Sequence, residues 1–371
     1  MKLKSLLWAA LPLMLTLNGC TIGRMLTYGF SDIKDYKRFP SRPLQQQGTP
    51  FQFTQGPDPE FMAHHNVRLK YHDRQVPLDS VLDATNTVAF LVIRRDTILH
   101  ERYFDGYAQN DWVASFSMAK SYTSALVGIA IAEGKIRSVD DRMSDYLPEM
   151  KDSKLADVTI KHLLEMTANI HHAENYFNPF AGVARLYYGK HLHKQLRRLR
   201  HEEPAGSKWT YQSICTQYLG EIVVRATGRS LTDYMQEKLW GPLGMESPAS
   251  WSIDQRRDGI EKAFCCINAT ARDFAKFGRL YLHGGNWNGR QLIPTEWVTA
   301  STAVLPGRAP HYGYQWWLMG NQGDYAAQGH LGQFIYVSPS TETIIVRLGK
   351  NYGKFYWSPA FKEILAQLAS A

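Results

Sequence analysis

The chain has 371 residues, of which 44% are hydrophobic and 12% aromatic, and this length and composition exclude a disordered protein. The formal net charge is +8, so an anionic surface is a plausible neighbour. No nucleic-acid-binding motif accompanies this charge. A solvated basic surface is therefore the simpler interpretation, and we expect no nucleic-acid partner.

The first 20 residues have the pattern of an export signal. Two lysines precede the apolar stretch Leu6–Leu17, which is too short to span a bilayer, and 1–19 are predicted to be a signal peptide. The sequence before Cys20 is similar to a bacterial lipobox, and Thr21 favours the outer membrane over the inner one. We expect a lipoprotein anchored through Cys20 at the periplasmic face of the outer membrane. A soluble exported protein is the alternative, because Asn18 is atypical of a lipobox.

The segment 20–59 is rich in proline, glutamine and glycine, which is typical of a tether between an anchor and a folded body. Little regular structure is expected there. Three more cysteines have no regular spacing, so they are interpreted as buried free thiols. Cys265 and Cys266 are adjacent and are not expected to form an ordinary, strain-free disulfide with each other.

The remaining residues, 60–371, are predicted to form one hydrolase domain of the α+β class. Residues 87–103 contain two β-rich runs that predict a hairpin, and further strands are predicted near the C-terminus before a final helix. The middle of the chain, about 114–250, has helical periodicity. This order predicts an antiparallel sheet made from N- and C-terminal strands, flanked by helices, with a mainly helical lobe beside it. The active site is expected between the two parts.

Ser117 and Lys120 stand three residues apart at the start of an apolar helical run that ends at Gly134. This spacing places both side chains on one face of a helix, where a buried, neutral lysine can accept the serine proton. The alternative is a serine that only caps the helix, beside a lysine that reaches solvent. Ser31 and Lys34 have the same spacing without a catalytic context, so the pattern alone does not decide.

Two later segments add weight to a catalytic interpretation. Tyr211-Gln212-Ser213 and His330-Leu331-Gly332 follow in order after Ser117-Met118-Ala119-Lys120. With their flanking residues, these motifs resemble the serine β-lactamase and penicillin-binding protein superfamily, in particular the class C-like branch of esterases and 6-aminohexanoate-dimer hydrolases. The resemblance extends over most of the chain from about residue 85.

The resemblance implies a role for each matching residue. Ser117 would be the nucleophile, Lys120 and Tyr211 would move protons, and the backbone N–H groups of Ser117 and Gln333 would form the oxyanion hole. The lysine charge is expected to lower the pKa of the Tyr211 phenol so that a phenolate can relay protons. The substrate-binding residues implied by the resemblance are Ser213, His330, Gly332 and Tyr176.

Two departures from the family pattern bear on the substrate. Leu331 cannot bind a lactam carboxylate, and Ser213 replaces an asparagine. The sequence therefore predicts a serine hydrolase of small esters or amides that acts through an acyl-enzyme. A β-lactamase or D-Ala-D-Ala carboxypeptidase and a non-catalytic cell-wall peptide-binding homologue are the alternatives. The histidines lack a metal-binding spacing, and we expect neither a metal nor an organic cofactor.

Overall fold

The computed structural model describes residues 21–176, 178, 180–197, 199–304, 306–320 and 323–369. The predicted signal peptide and Cys20 lie outside these residues. The helices, in chain order, are α1 (Thr21–Tyr28), α2 (Phe61–His64), α3 (Leu78–Ala84), α4 (Ala119–Ala132), α5 (Ile160–Leu164), α6 (Gly182–Tyr188), α7 (Leu192–Leu196), α8 (Ser213–Thr227), α9 (Leu231–Met235), α10 (Ala271–Leu282), α11 (Thr295–Thr302) and α12 (Trp357–Ala369).

The strands, in chain order, are β1 (Ser41–Leu44), β2 (Thr54–Gln55), β3 (Arg68–Tyr71), β4 (Arg74–Pro77), β5 (Thr87–Arg94), β6 (Thr97–Tyr103), β7 (Val113–Ala114), β8 (Ala249–Ser252), β9 (Ile267–Ala269), β10 (Asn286–Trp287), β11 (Arg290–Gln291), β12 (Trp317–Leu318), β13 (Tyr325–Gly329), β14 (Gln333–Ser338) and β15 (Thr343–Gly349).

The main sheet joins strands from both ends of the chain. Its order is β12-β13-β14-β15-β5-β6-β2 within the described residues. Its neighbouring strands are antiparallel except at one edge, where β2 runs parallel to β6. Strand β5 is buried along nearly its whole length and pairs with β15 on one side and β6 on the other. The predicted α+β class and the predicted hairpin are confirmed.

Helices cover both faces of this sheet. On one face α10 packs on β14 and β15, and the approach is so close that a side chain at Gly278 would meet Ile335 at 2.8 Å. On the other face the Phe361 ring of α12 meets Phe334 edge to face and Tyr336 at a tilt. The sheet is therefore an inner layer, and β13, which pairs with the two-residue edge strand β12 only through Tyr325 and Ala326, leaves its end at 327–329 free to border a site.

The helical part of the chain centres on α4, which is buried along 12 of its 14 residues. Helix α4 packs against α8, and α8 also contacts α5. A second sheet, with the order β1-β8-β9-β7, lies beside these helices. A buried helix of this kind can hold its N-terminal residues in a fixed place relative to the main sheet.

The N-terminal segment is not the unstructured tether predicted for 20–59. Helix α1 packs on α6, β1 pairs with β8, and the side chains of Ile33, Phe39 and Leu44 are at most 5% exposed. Arg24 is also buried, and its Nη1 donates hydrogen bonds to the carbonyls of Gly189 and Asp254. The prediction was wrong because widely spaced apolar residues in a proline-rich segment can anchor it without helical or strand periodicity.

The expectation of free thiols at Cys265 and Cys266 is also wrong. The two residues form a disulfide, with their Cα atoms 3.7 Å apart. In an extended strand neighbouring side chains point to opposite faces, but Cys266 adopts a left-handed φ of 72°. The turn brings the two sulfur atoms to the same side. Cys215 is buried as a free thiol, as expected.

No helix in the described part of the chain is both long enough and apolar enough to cross a membrane.

Candidate active site

Ser117 and Lys120 meet at the N-terminal end of α4. Ser117 lies in a short 3-10 turn, Phe116–Met118, and Lys120 lies in the first turn of the helix. Lys120 Nζ is 2.9 Å from Ser117 Oγ, and Lys120 is 1% exposed. The lysine therefore does not reach solvent, and the arrangement differs from that of a serine cap beside a surface lysine.

Lys120 is held by three oxygen acceptors. Besides Ser117 Oγ, its amine donates to Ser213 Oγ at 3.0 Å and to the carbonyl of Phe264 at 2.9 Å. Burial lowers the pKa of Lys120 to about 8, although the charge of Glu174 acts in the opposite direction. A substantial fraction of the amine is then neutral near physiological pH, as a general base requires.

The turn before α4 is conformationally unusual. Phe116, a bulky residue, adopts a left-handed φ of 45°. Its carbonyl accepts hydrogen bonds from the Ser115 hydroxyl and from the Cys266 N–H, so two neighbouring segments fix this conformation. Strained backbone of this kind is a frequent feature of functional sites.

Tyr211 completes the predicted cluster from a position two residues before the start of α8. Its ring lies 5.1 Å from Lys120 Nζ and stacks on Trp317 at 5.5 Å. Burial and the charge of Glu174 raise the pKa of Tyr211 well above its usual range, while a hydrogen bond with Ser117 lowers it. The expected lowering of the Tyr211 pKa is therefore wrong: burial and the Glu174 charge outweigh the hydrogen bond with Ser117, which favours the neutral phenol over a phenolate.

Glu174 is the residue that sequence reasoning missed. Its carboxylate accepts hydrogen bonds from Ser213 N–H at 2.9 Å, from Ser213 Oγ at 2.5 Å and from the Tyr176 hydroxyl at 2.8 Å. Because Ser213 also contacts Lys120, its hydroxyl links the Glu174 carboxylate to the Lys120 amine. Glu174 stands two residues before Tyr176, but a single acid on a loop has no spacing that reveals its role.

The hairpin between β13 and β14 is placed differently from the sequence prediction. Leu331 and Gly332 have φ values of 64° and 81° and form the turn, not a strand. Gly332 accepts a hydrogen bond from Arg347, and the Gln333 side chain binds Gly349. Neither Gly332 nor Gln333 lines the cavities at Ser117, which corrects their predicted substrate-binding and oxyanion roles.

Residues 328–330 border the site instead. Gln328, Gly329 and His330 line the cleft together with Ser117 and Tyr211. A side chain at Gly329 would lie 2.2 Å from the Ser115 carbonyl, so only glycine lets β13 approach the nucleophile turn. Positive φ angles at Leu331 and Gly332 reverse the chain, and Gln333 begins the return strand opposite Gly329. The sequence motif identified the correct hairpin, but the residues that line the cleft come before its turn and not after it.

Tyr176 and His330 lie face to face and line the cavities at Ser117. Their rings stack at 5.0 Å with an interplanar angle of 11°, and His330 also meets the edge of Phe116 at 5.6 Å. Burial lowers the pKa of His330, which favours a neutral imidazole. These two predicted substrate-binding residues are brought together with Ser213 at the site. In the described ranges, no group of three or more His, Cys, Asp or Glu side chains is placed to bind a metal ion.

The fold and this serine–lysine–tyrosine cluster define a hydrolase of the β-lactamase fold. The family model described as "Beta-lactamase" matches residues 78–354, and the chain belongs to this family. A curated relative, 6-aminohexanoate-dimer hydrolase of Paenarthrobacter ureafaciens, is 29% identical over 318 residues, which cover 78% of this chain and 80% of the relative.

Solved structures agree with this assignment. "Putative 6-aminohexanoate-dimer hydrolase from Bacillus anthracis" superposes with a TM-score of 0.81 and 25% identity, covering 92% of this chain and 94% of that one. A class C β-lactamase superposes with a TM-score of 0.59 and 15% identity, covering 79% and 95%, which shows the shared fold alone.

Proposed function

We propose that the chain is a serine hydrolase that cleaves ester or amide bonds of small substrates through an acyl-enzyme. The observation that carries the proposal is the buried Lys120 amine, 2.9 Å from Ser117 Oγ, with its pKa lowered to about 8. A serine hydroxyl is a weak nucleophile until a neighbouring base removes its proton. A buried amine that is partly neutral supplies that base.

The first half of the reaction forms the acyl-enzyme. Lys120 Nζ takes the Ser117 proton as Oγ attacks the substrate carbonyl, whose oxygen becomes an anion. The N–H of Ser117 is one donor to this oxyanion, and the lining of the cleft supports the N–H of His330 as the other. Each such donor contributes about 3 kcal/mol of barrier reduction. Tyr211 passes its proton to the departing oxygen or nitrogen and regains one from Lys120.

The second half releases the acyl group. Water enters where the leaving group stood and gives its proton to the Lys120–Tyr211 pair. Its oxygen bonds to the acyl carbon, the bond from that carbon to Ser117 Oγ breaks, and Oγ is reprotonated. No other proton carrier is needed.

Two features support an ester or amide substrate over a β-lactam or D-Ala-D-Ala peptide. Leu331 lies in the hairpin turn and does not line the cavities at Ser117. Neither lysine nor arginine side chains of the described residues line these cavities, so a substrate carboxylate has no cation to bind there. The curated relative is named for hydrolysis of the 6-aminohexanoate dimer, and we carry over from it hydrolysis only.

The test combines labelling with a substrate panel. A fluorophosphonate probe is expected to label Ser117, located by mass spectrometry, and the label is lost in Ser117→Ala and Lys120→Ala. Lys34→Ala is the matched control, since Ser31 and Lys34 have the same spacing but Lys34 lines neither cavity at Ser117. Wild type is then assayed on p-nitrophenyl acetate, a linear amide, a chromogenic cephalosporin and a D-Ala-D-Ala peptide. Equal rates for wild type and Ser117→Ala on every substrate would refute the proposal and leave the peptide-binding alternative.

We also propose that the chain is exported and acylated at Cys20, on the basis of residues 1–20. Cells fed an alkyne-tagged fatty acid are expected to label the wild-type chain, and Cys20→Ala is expected to lose both the label and the membrane fraction. An unlabelled wild-type chain in the soluble fraction would support the unanchored exported alternative.

A further inference from the structure

Two cavities of different character meet at Ser117. The first is a small cavity of about 40 Å³ with a wall of aromatic and aliphatic side chains. Its apolar lining consists of Phe116, Val183, Ala184, Tyr187, Tyr188 and Phe264. No Asp, Glu, Lys or Arg of the described residues lines it. We call this cavity the apolar pocket.

The second cavity, the polar cleft, adjoins the first at Ser117. Its lining includes Glu174, Tyr211, Gln328, Trp317 and Tyr352. Ser117, Tyr176 and His330 border both cavities, so a carbonyl carbon held at Ser117 has one space on each side. The two halves of an ester or amide must divide between these spaces.

The position of the proton donor determines which half of the substrate occupies which cavity. A leaving alcohol or amine must accept a proton as its bond to carbon breaks, and the donor must lie within hydrogen-bonding reach of that atom. Tyr211 lines the polar cleft and not the apolar pocket. The leaving group therefore departs into the polar cleft, and the acyl group remains on the opposite side.

We propose that the apolar pocket is the acyl-binding subsite and that it selects uncharged, apolar acyl groups. This assignment rests on the proposed function, because it requires an acyl-enzyme at Ser117. It deepens that function by naming the substrate class: esters or amides of aliphatic or arylaliphatic acids with a polar alcohol or amine half. Water for deacylation then enters through the vacated polar cleft, on the same side as Tyr211.

The lining of the pocket allows the expected change in kcat/KM with acyl chain length and charge to be estimated. Each methylene group moved from water into an apolar environment favours binding by about fourfold. We expect kcat/KM to rise by about that factor per methylene until the pocket is filled. A carboxylate or ammonium at the end of the chain meets no counter-ion and must lose its hydration, so we expect it to reduce kcat/KM by at least about tenfold.

The experiment keeps the leaving group constant. The p-nitrophenyl esters of acetic, butanoic and hexanoic acids are compared with the p-nitrophenyl monoester of adipic acid, a hexanoyl chain that ends in a carboxylate. The hexanoate-to-acetate ratio of kcat/KM is expected to exceed about tenfold, and the adipate ester is expected to fall well below the hexanoate. A flat series, or equal rates for hexanoate and adipate, would overturn the assignment.

Variants on the two sides separate the cavities. Ala184→Phe fills the apolar pocket and is expected to lower the hexanoate rate while sparing the acetate rate. Val183→Ala enlarges the pocket and is expected to move the preference to longer acyl chains. This variant provides the test if Ala184→Phe does not fold. Gln328→Ala, in the polar cleft, is expected to change the response to the leaving group and not the acyl ratio. An acyl ratio altered by Gln328→Ala and unmoved by both pocket variants would contradict the proposal.

Two experimental outcomes distinguish an absent acyl subsite from an absent hydrolase activity. Ser117-dependent hydrolysis of the acetate ester with no chain-length preference refutes the acyl subsite alone. Absence of both fluorophosphonate labelling and ester hydrolysis refutes the hydrolase, and the subsite with it.

Discussion

Replacing Glu174 by glutamine is expected to move the pH dependence of hydrolysis. The carboxylate lies next to Ser213, which in turn contacts Lys120, and its charge raises the pKa of the lysine against the larger effect of burial. Glutamine has nearly the same shape but no charge. The pKa of Lys120 in the Glu174→Gln variant is therefore expected to fall below its present value of about 8, and the neutral base is then available at lower pH.

The geometry sets the size of this effect. The carboxylate oxygen is 2.5 Å from Ser213 Oγ, which is 3.0 Å from Lys120 Nζ, so the two charges are at most about 5.5 Å apart. At an effective dielectric constant of about 20, this separation corresponds to about 3 kcal/mol, or about two pH units. Because water in the cleft screens the pair further, we expect the acid limb of the kcat/KM profile to move down by about one to two pH units.

The assay is the hydrolysis of p-nitrophenyl acetate by wild type and variant from pH 5 to 10, with kcat/KM fitted to the acid limb. Glu174→Asp keeps the charge and is the matched control. If this variant loses activity while the acid limb of its kcat/KM profile stays in place, the loss comes from altered geometry and not from altered charge. Ser213→Ala removes the intermediate hydroxyl but leaves the carboxylate. Superimposable limbs for wild type and Glu174→Gln would show that the carboxylate does not act on Lys120, and the reasoning would fail.

Three further predictions concern the regions around this cluster. Burial lowers the pKa of His172 to about 4, below the unfolded value near 6.5. The neutral imidazole therefore contributes its full share to the free energy of unfolding above pH 6.5, and about 3 kcal/mol of that free energy is lost as the pH falls toward 4. Denaturant unfolding of His172→Gln should lack this loss. Opening the disulfide by Cys266→Ser is expected to reduce kcat/KM by about tenfold or more, because the adjoining Phe264 carbonyl holds Lys120. Phe39→Ala is expected to lower the free energy of unfolding by about 3 to 5 kcal/mol, measured by denaturant titration.

Each of these predictions has a control. His171 is exposed beside His172, so His171→Gln should leave the acid sensitivity unchanged; equal acid sensitivity of wild type and His172→Gln would contradict the assignment. For the disulfide, Cys215→Ala alters a buried free thiol without opening the bridge, and full activity of Cys266→Ser would sink the prediction. Phe30 is 75% exposed, so Phe30→Ala should be nearly neutral, and a similarly small effect of Phe39→Ala would restore the tether interpretation.

Much of the site could be predicted because its chemistry follows local spacing. The Ser117–Lys120 pair depends on one helical turn, and Tyr211 stands two residues before a helix whose apolar periodicity is plain in the sequence. Glu174 could not be found in this way, because it acts through contacts between segments that are distant in the chain. The pKa of Tyr211 was misjudged for a related reason: a sequence shows a neighbouring charge more readily than the degree of burial.

The fold was predictable where hydrophobic patterning is continuous, as in the β5–β6 hairpin and the helical middle. It was not predictable in the N-terminal segment, where single residues such as Ile33 and Phe39 enter a core made by other elements. The hairpin at His330 shows a third case. Its identity was clear, but the side of the turn that faces the nucleophile depends on the positive φ angles of Leu331 and Gly332, and leucine gives no indication of such an angle.

The pairing of β5 with β15 has a consequence for biogenesis. Partners such as Leu91 and Val346 are roughly 250 residues apart, so the sheet stays open at its centre until almost the whole polypeptide has left the ribosome. Contacts of such long range slow folding. The border of the catalytic cleft at 328–330 also comes from the last part to be synthesised. Nascent or prematurely terminated chains therefore carry Ser117 and Lys120 without the wall that completes the cleft, and hydrolytic competence arises only when synthesis is nearly finished.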